Sequence, residues 1–179
     1  MCGIIGYVGD DPARSVLSDG LERLSYRGYD SAGIALLGEG GLRSYRAPGK
    51  LDRLREVLPT TAPATVGMGH TRWSTHGPPT AANAHPQLDC TEEIAVVHNG
   101  VISNAAALRA DLEGHTFTSE TDTELIAHLL EEATTAGGSC ISQIAAVTQQ
   151  LAGSYALVIA YAGDDHLYAV RQQSPLVVG

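Results

Sequence analysis

The chain has 179 residues, 44% hydrophobic and 17% charged, with a net charge of −9. That suits one globular domain with a real core and excludes a low-complexity or disordered chain. The acidic balance, the lack of a basic cluster and the absence of any apolar run near the ~18 residues that span a bilayer argue against nucleic acid and membrane as partners.

Three cysteines, at 2, 90 and 140, form no CxxC pair and are odd in number. With no signal-peptide pattern at the start, this predicts a reducing, cytoplasmic setting rather than a disulfide framework.

In chain order, Ile4 to Val8 is a short apolar run closed by Gly9-Asp10-Asp11-Pro12, which predicts a buried strand and a turn. Val16, Leu17, Leu21 and Leu24 recur at helical spacing over residues 13–24. Gly33 to Leu37 reads as a strand ended by GEGG, with residues 42–47 returning as its hairpin partner. Leu51, Leu54, Val57 and Leu58 mark a short helix closed by Pro59. Residues 65–71 and 94–98 read as strands, and 105–112 as a modest helix. Thr121-Asp122-Thr123-Glu124 fits a capping box before the stripe Leu125, Ile126, Leu129, Leu130, Ala133. A further helix over 141–151 precedes an antiparallel hairpin, 155–162 with 167–171. Helices between hairpins predict sheets covered by helices, an α+β fold in one domain.

Several polar clusters admit two readings. His70 and His76 could be metal ligands, but their spacing fits no familiar zinc pattern, and no useful neighbour stands near Cys90 or Cys140 in sequence. No metal and no cofactor are expected. Arg72, at a strand end, is either a carboxylate-binding fork or an ordinary surface ion pair. Asn99-Gly100 reads alone as a turn, with an oxyanion hole as the functional alternative. Asp122 either favours a helix start or offers a carboxylate to an ammonium group.

Together these pieces carry more. Cys2-Gly3-Ile4, YRGYDSAG (26–33), HTRWSTHG (70–77), NAHP (83–86), VVHNG (96–100) and SETDTE (119–124) resemble the blocks of the class II glutamine amidotransferases. The blocks fall in family order over nearly the whole chain. RGYDSAG and HTRWSTHG favour the glutaminase domain of the hexosamine-forming branch, which converts fructose 6-phosphate to glucosamine 6-phosphate. The resemblance implies a four-layer αββα N-terminal-nucleophile hydrolase sandwich of two antiparallel sheets.

It also implies a chemistry. Removal of Met1 would make Cys2 the amino terminus, giving one residue a nucleophilic thiol and a basic amine. A free thiol titrates near about 8.5 and an α-amino group near about 7.7–8.0, so the neutral amine is available to take the thiol proton. By resemblance, Cys2 attacks the side-chain amide of L-glutamine, and Asn99 with the Gly100 N–H stabilises the oxyanion. Arg72 takes the substrate α-carboxylate and Asp122 its α-ammonium. Thr75 and His76 line the pocket, Arg27 helps order the amino terminus, and Trp73 stands at the mouth of an ammonia passage. Cys90 and Cys140 are expected to be incidental.

The family continues with more strands after the SPLVVG motif at 174–179, followed by sugar-phosphate isomerase domains. The expectation is therefore a domain incomplete at its C-terminus, with exposed sheet edges, and self-association only for a full-length enzyme. Two alternatives remain: the same chemistry serving another acceptor, such as a phosphoribosyl group, and a non-catalytic glutamine-binding module.

Overall fold

The computed structural model describes residues 2–74 and 77–179. Strand β1 (Gly3–Val8) leads into helix α1 (Ala13–Leu24) and a 3₁₀ turn over Ser25–Arg27. Hairpin β2 (Ser31–Gly38) and β3 (Gly41–Pro48), helix α2 (Leu51–Val57) and strand β4 (Ala64–Arg72) complete the first half. The second half holds β5 (Gln87–Leu88), β6 (Ile94–Ile102), α3 (Ala105–Asp111), α4 (Asp122–Thr135), α5 (Cys140–Thr148), β7 (Gly153–Tyr161) and β8 (Tyr168–Gln172).

The strands form two antiparallel sheets, ordered β1-β4-β2-β3 and β5-β6-β7-β8. Period-two alternation explains the layering, because successive strand residues face opposite ways. On β2, Ile34 and Leu36 pack with Leu17, Leu21 and Leu54 of α1 and α2. Ala35 and Leu37 instead join Met68, Val97 and Val158 between the sheets. On β6 and β7, Val96, Leu157 and Ile159 meet Ile126 and Leu130 of α4. The order is helix, sheet, sheet, helix, as the family resemblance implies. Each fully buried leucine in these clusters contributes roughly 1.5–3 kcal/mol by burial.

Two local expectations fail. Asn99-Gly100 is not a turn: β6 runs through it to Ile102, with Asn99 opposite Ala156 and Gly100 opposite Tyr155. Gly100 takes φ 135°, and a Cβ there would collide with the Ser154 carbonyl. Glycine thus supplies a strand conformation rather than a reversal.

The capping box is half made. Thr121 Oγ1 accepts from the Glu124 N–H at 3.4 Å. The Glu124 carboxylate does not reach back to Thr121; it accepts from the N–H and hydroxyl of both Thr118 and Ser119, all at 2.7–2.8 Å. Ser119 Oγ takes the Thr121 N–H instead, at 3.2 Å. The buried Glu124 therefore fixes the segment that delivers Asp122.

Candidate active site

Pairing of β1 with β4 places Gly3 opposite Thr71 and brings Cys2 beside the end of β4. Thr71 Oγ1 accepts the Gly3 N–H at 3.1 Å. The half-buried Cys2 Sγ accepts the Trp73 N–H at 3.2 Å.

Asn99 closes the other side. Its Nδ2 donates to the Cys2 carbonyl at 3.3 Å, and its Oδ1 stands 2.9 Å from His70 Nε2. His70 Nε2 also faces the His98 carbonyl, at 3.1 Å. A carbonyl can only accept, so the Asn99 amide must turn its NH₂ to Cys2 and its oxygen to His70. His70 then carries its proton on Nε2. Burial holds the His70 pKa down to about 4 despite the Asn99 bond, so the ring is neutral near neutral pH. It stacks on His85 with centroids 4.4 Å apart, and burial likewise keeps His85 neutral.

Asp122, the first residue of α4, accepts the Ile102 N–H on Oδ2 at 3.0 Å, while Oδ1 lies 3.5 Å from His98 Nδ1. Burial pushes its pKa up, but His98 and the Ile102 N–H outweigh that and hold it below the usual carboxylate value. The Thr123 hydroxyl bridges His85 Nε2 (2.6 Å) and His98 Nδ1 (3.1 Å).

Arg72 is 5% exposed, and its Nη1 donates to Ser74 Oγ at 2.7 Å. Ser74 is held in turn by Asp30, which accepts its N–H at 2.7 Å and its hydroxyl at 3.0 Å. Cys2, Arg72, Trp73, Gly100 and Asp122 line one cavity, of about 60 Å³, together with His70 and His98. Trp73 is half exposed at its edge, and its ring lies against Gly28.

The described part of the structure therefore gathers five of the expected residues around one cavity, with Asn99 bonded to Cys2. Arg27 is elsewhere: it is exposed on the 3₁₀ turn, its Nε donates to Tyr26 OH at 3.1 Å, and it does not line the cavity. Thr75 and His76 lie outside the described residues. The sequence reading missed the supports His70, His85, His98, Thr123, Asp30 and Ser74. Each lies inside one of the quoted blocks, so block membership was the signal available.

The profile of a family described as "Glutamine amidotransferase domain" matches residues 70–178. The chain belongs to this family. Curated glutamine amidotransferase relatives named glutamine–fructose-6-phosphate aminotransferase (isomerizing) are 49% identical over 180 residues in Halobacterium salinarum and 51% over 185 in Streptomyces coelicolor. Each match covers the whole chain and 30% of the relative, so the chain spans less than a third of the proteins it matches. Among solved structures, the glutamine phosphoribosylpyrophosphate amidotransferase from B. subtilis, complexed with ADP and GMP, superposes with a TM-score of 0.74 at 26% identity. That match covers 90% of this chain and 35% of the other. The amidotransferase sandwich expected from the six blocks is the observed fold.

Proposed function

We propose that residues 1–179 form a glutaminase domain that hydrolyses L-glutamine to glutamate and ammonia, serving conversion of fructose 6-phosphate to glucosamine 6-phosphate in a full-length enzyme with a sugar-phosphate isomerase part. The observation that carries this reading is the Cys2–Asn99 arrangement: the Cys2 sulfur lies under the Trp73 N–H, and the backbone carbonyl of the same residue accepts the Asn99 NH₂. Removal of Met1 frees the Cys2 amine, which takes the thiol proton. The thiolate adds to the glutamine amide carbon. Asn99 Nδ2 and the Gly100 N–H stabilise the oxyanion; losing one such donor typically costs about 2.7–4 kcal/mol. The amine returns a proton to the departing ammonia, and water hydrolyses the γ-glutamyl thioester.

Arg72 takes the α-carboxylate and Asp122 the α-ammonium, with Thr75 and His76 completing the pocket. Two opposite charges at fixed separation select free glutamine over glutamine within a peptide. Arg27 orders the amino terminus from outside the cavity, and Trp73 guards its mouth. The hexosamine acceptor is favoured over the phosphoribosyl one by identities near 50% to the former relatives against 26% to the latter structure. The whole reaction is cytoplasmic in this reading.

Intact-mass analysis combined with a glutaminase assay tests it. A mature chain beginning at Cys2, and loss of turnover in Cys2→Ala with glutamine binding kept, are expected. Full activity in a protein that retains Met1 would overturn the assignment.

A further inference from the structure

Cys90 was expected to be incidental, yet it has metal-ligating neighbours in the fold. Three segments distant in sequence converge on it. Cys90 lies in the turn after β5, His115 lies between α3 and α4, and His128 with Glu131 occupy consecutive turns of α4. One ligand atom from each of the four lies within 4.8 Å of the others.

The individual distances are informative. Cys90 Sγ is 3.6 Å from Nδ1 of His115 and 3.6 Å from Nδ1 of His128. Glu131 Oε2 is 3.1 Å from His115 Nδ1 and 3.2 Å from His128 Nδ1. Around a tetrahedral zinc ion, with Zn–S near 2.3 Å and Zn–N or Zn–O near 2.0–2.1 Å, the sulfur–nitrogen edge is about 3.6 Å and the nitrogen–oxygen edge about 3.3 Å. The four measured edges fall at or just inside those values.

Hydrogen bonding alone satisfies this cluster poorly. Each Nδ1 has one in-plane direction, holding either a proton or a lone pair, yet each faces both Sγ and Oε2. A central cation gives all four atoms one bond apiece. Thiolate and carboxylate together also cancel a 2+ charge.

The outer partners fit the same reading. His115 Nε2 faces Glu132 Oε1 at 3.5 Å, and His128 Nε2 faces Glu124 Oε1 at 4.0 Å. His128 Nε2 is buried without a closer partner among the described residues. Carboxylates on the outer side of ligating histidines are the usual partners that orient such rings. The turn carrying Cys90 is itself fixed: Asp89 accepts the Ile94 N–H at 2.7 Å and the Thr91 N–H at 3.2 Å.

We propose that Cys90, His115, His128 and Glu131 form a tetrahedral zinc site. Mixed thiolate, imidazole and carboxylate donors suit zinc over calcium or magnesium. Four protein ligands leave no open position, so the ion is structural. It ties the β5 turn and the 112–121 segment to α4. Through Glu124, which also holds Thr118 and Ser119, it braces the segment that carries Asp122.

The test uses the intact chain without a polyhistidine tag. Zinc content is measured after gel filtration, and cobalt is then substituted for zinc. One zinc per chain is expected, with a thiolate-to-cobalt charge-transfer band that Cys90→Ser removes and Cys2→Ala keeps. Competition with a chelator should show zinc binding weakened more than about a hundredfold in Cys90→Ser and about 10–100-fold in Glu132→Gln. Added zinc should raise the melting temperature of wild type but not of a Cys90→Ser/His115→Ala variant, because only the former binds it in the folded state. Substoichiometric zinc with equal thermal responses in wild type and variant would mean a hydrogen-bonded cluster only. A cobalt band lost in Cys2→Ala instead would place the metal at the other cysteine. Either result would overturn the proposal.

Discussion

Asn99 and His70 are locked together: Asn99 Oδ1 lies 2.9 Å from a histidine Nε2 that must donate to it. The consequence reaches Cys2, because this bond dictates which way the Asn99 NH₂ points. Asn99→Ala should therefore lower kcat by about 10²–10³-fold with a smaller effect on KM, since the donor matters most as charge develops on the substrate oxygen. His70→Ala should produce part of the same kcat loss with Asn99 still present. Steady-state kinetics with glutamine on both variants is the check. A pure KM effect in Asn99→Ala would make it a binding residue.

Acid should weaken the fold through the same histidine. His70 binds its proton near pH 4 in the folded protein and near 6.5 when unfolded. Between those values the unfolded chain holds more protons, so stability rises with pH and falls as pH drops through the window. The difference is on the order of 3 kcal/mol at neutral pH, from the two pKa values. Urea unfolding from pH 7 to 4.5 should show this decline, and His70→Gln should flatten it. His85, also held neutral by burial, keeps part of the slope in that variant. An unchanged slope would mean that His70 is protonated in the fold.

The six blocks were legible because they combine chemistry with short-range structure. Period-two and helical spacing located β1, α1, the β2–β3 hairpin, α4 and the β7–β8 hairpin within a few residues. What escaped depended on partners far away in sequence. Asn-Gly resembles a turn locally, yet pairing with β7 keeps it in a strand. Glu124 sits where a capping box would use it, but the donors of Thr118 and Ser119 claim its carboxylate. His70 looked like a candidate ligand, whereas its role is set by Asn99, 29 residues on. The cluster at Cys90 joins residues up to 41 positions apart, and no spacing rule covers Cys90, His115, His128 and Glu131.

Arg72 and Asp122 should divide the substrate between them. Charged hydrogen bonds are worth about 1.5–3 kcal/mol, so truncating either residue should raise KM roughly tenfold to a hundredfold or more. Arg72→Ala should penalise glutamine far more than its α-carboxamide, and Asp122→Ala more than N-acetylglutamine. Arg72→Lys should recover only part of the loss, because an ammonium cannot make the bidentate pair. The check is kcat/KM for the three substrates on each variant. Equal losses on all three would show that these residues act through the fold.

Loss of the Asp30 carboxylate should disturb the same end of the pocket indirectly. Asp30→Ala removes both acceptors that hold Ser74, and Ser74 carries the Arg72 Nη1 contact. The expected outcome is a raised KM for glutamine with the α-carboxamide less affected, the Arg72→Ala pattern in weaker form. A change in kcat alone would mean that Asp30 supports the chemistry instead.

The nucleophile is the centre of the account, and a glutamine analogue with a diazoketone side chain tests it most directly. Its electrophilic carbon takes the place of the amide that the Cys2 thiolate attacks. Peptide mapping after inactivation should find one label, on Cys2, with Cys90 and Cys140 unmodified, and glutamine should protect. A label on Cys90 or Cys140 that accompanies inactivation, or inactivation in the Cys2→Ala variant, would contradict the assignment.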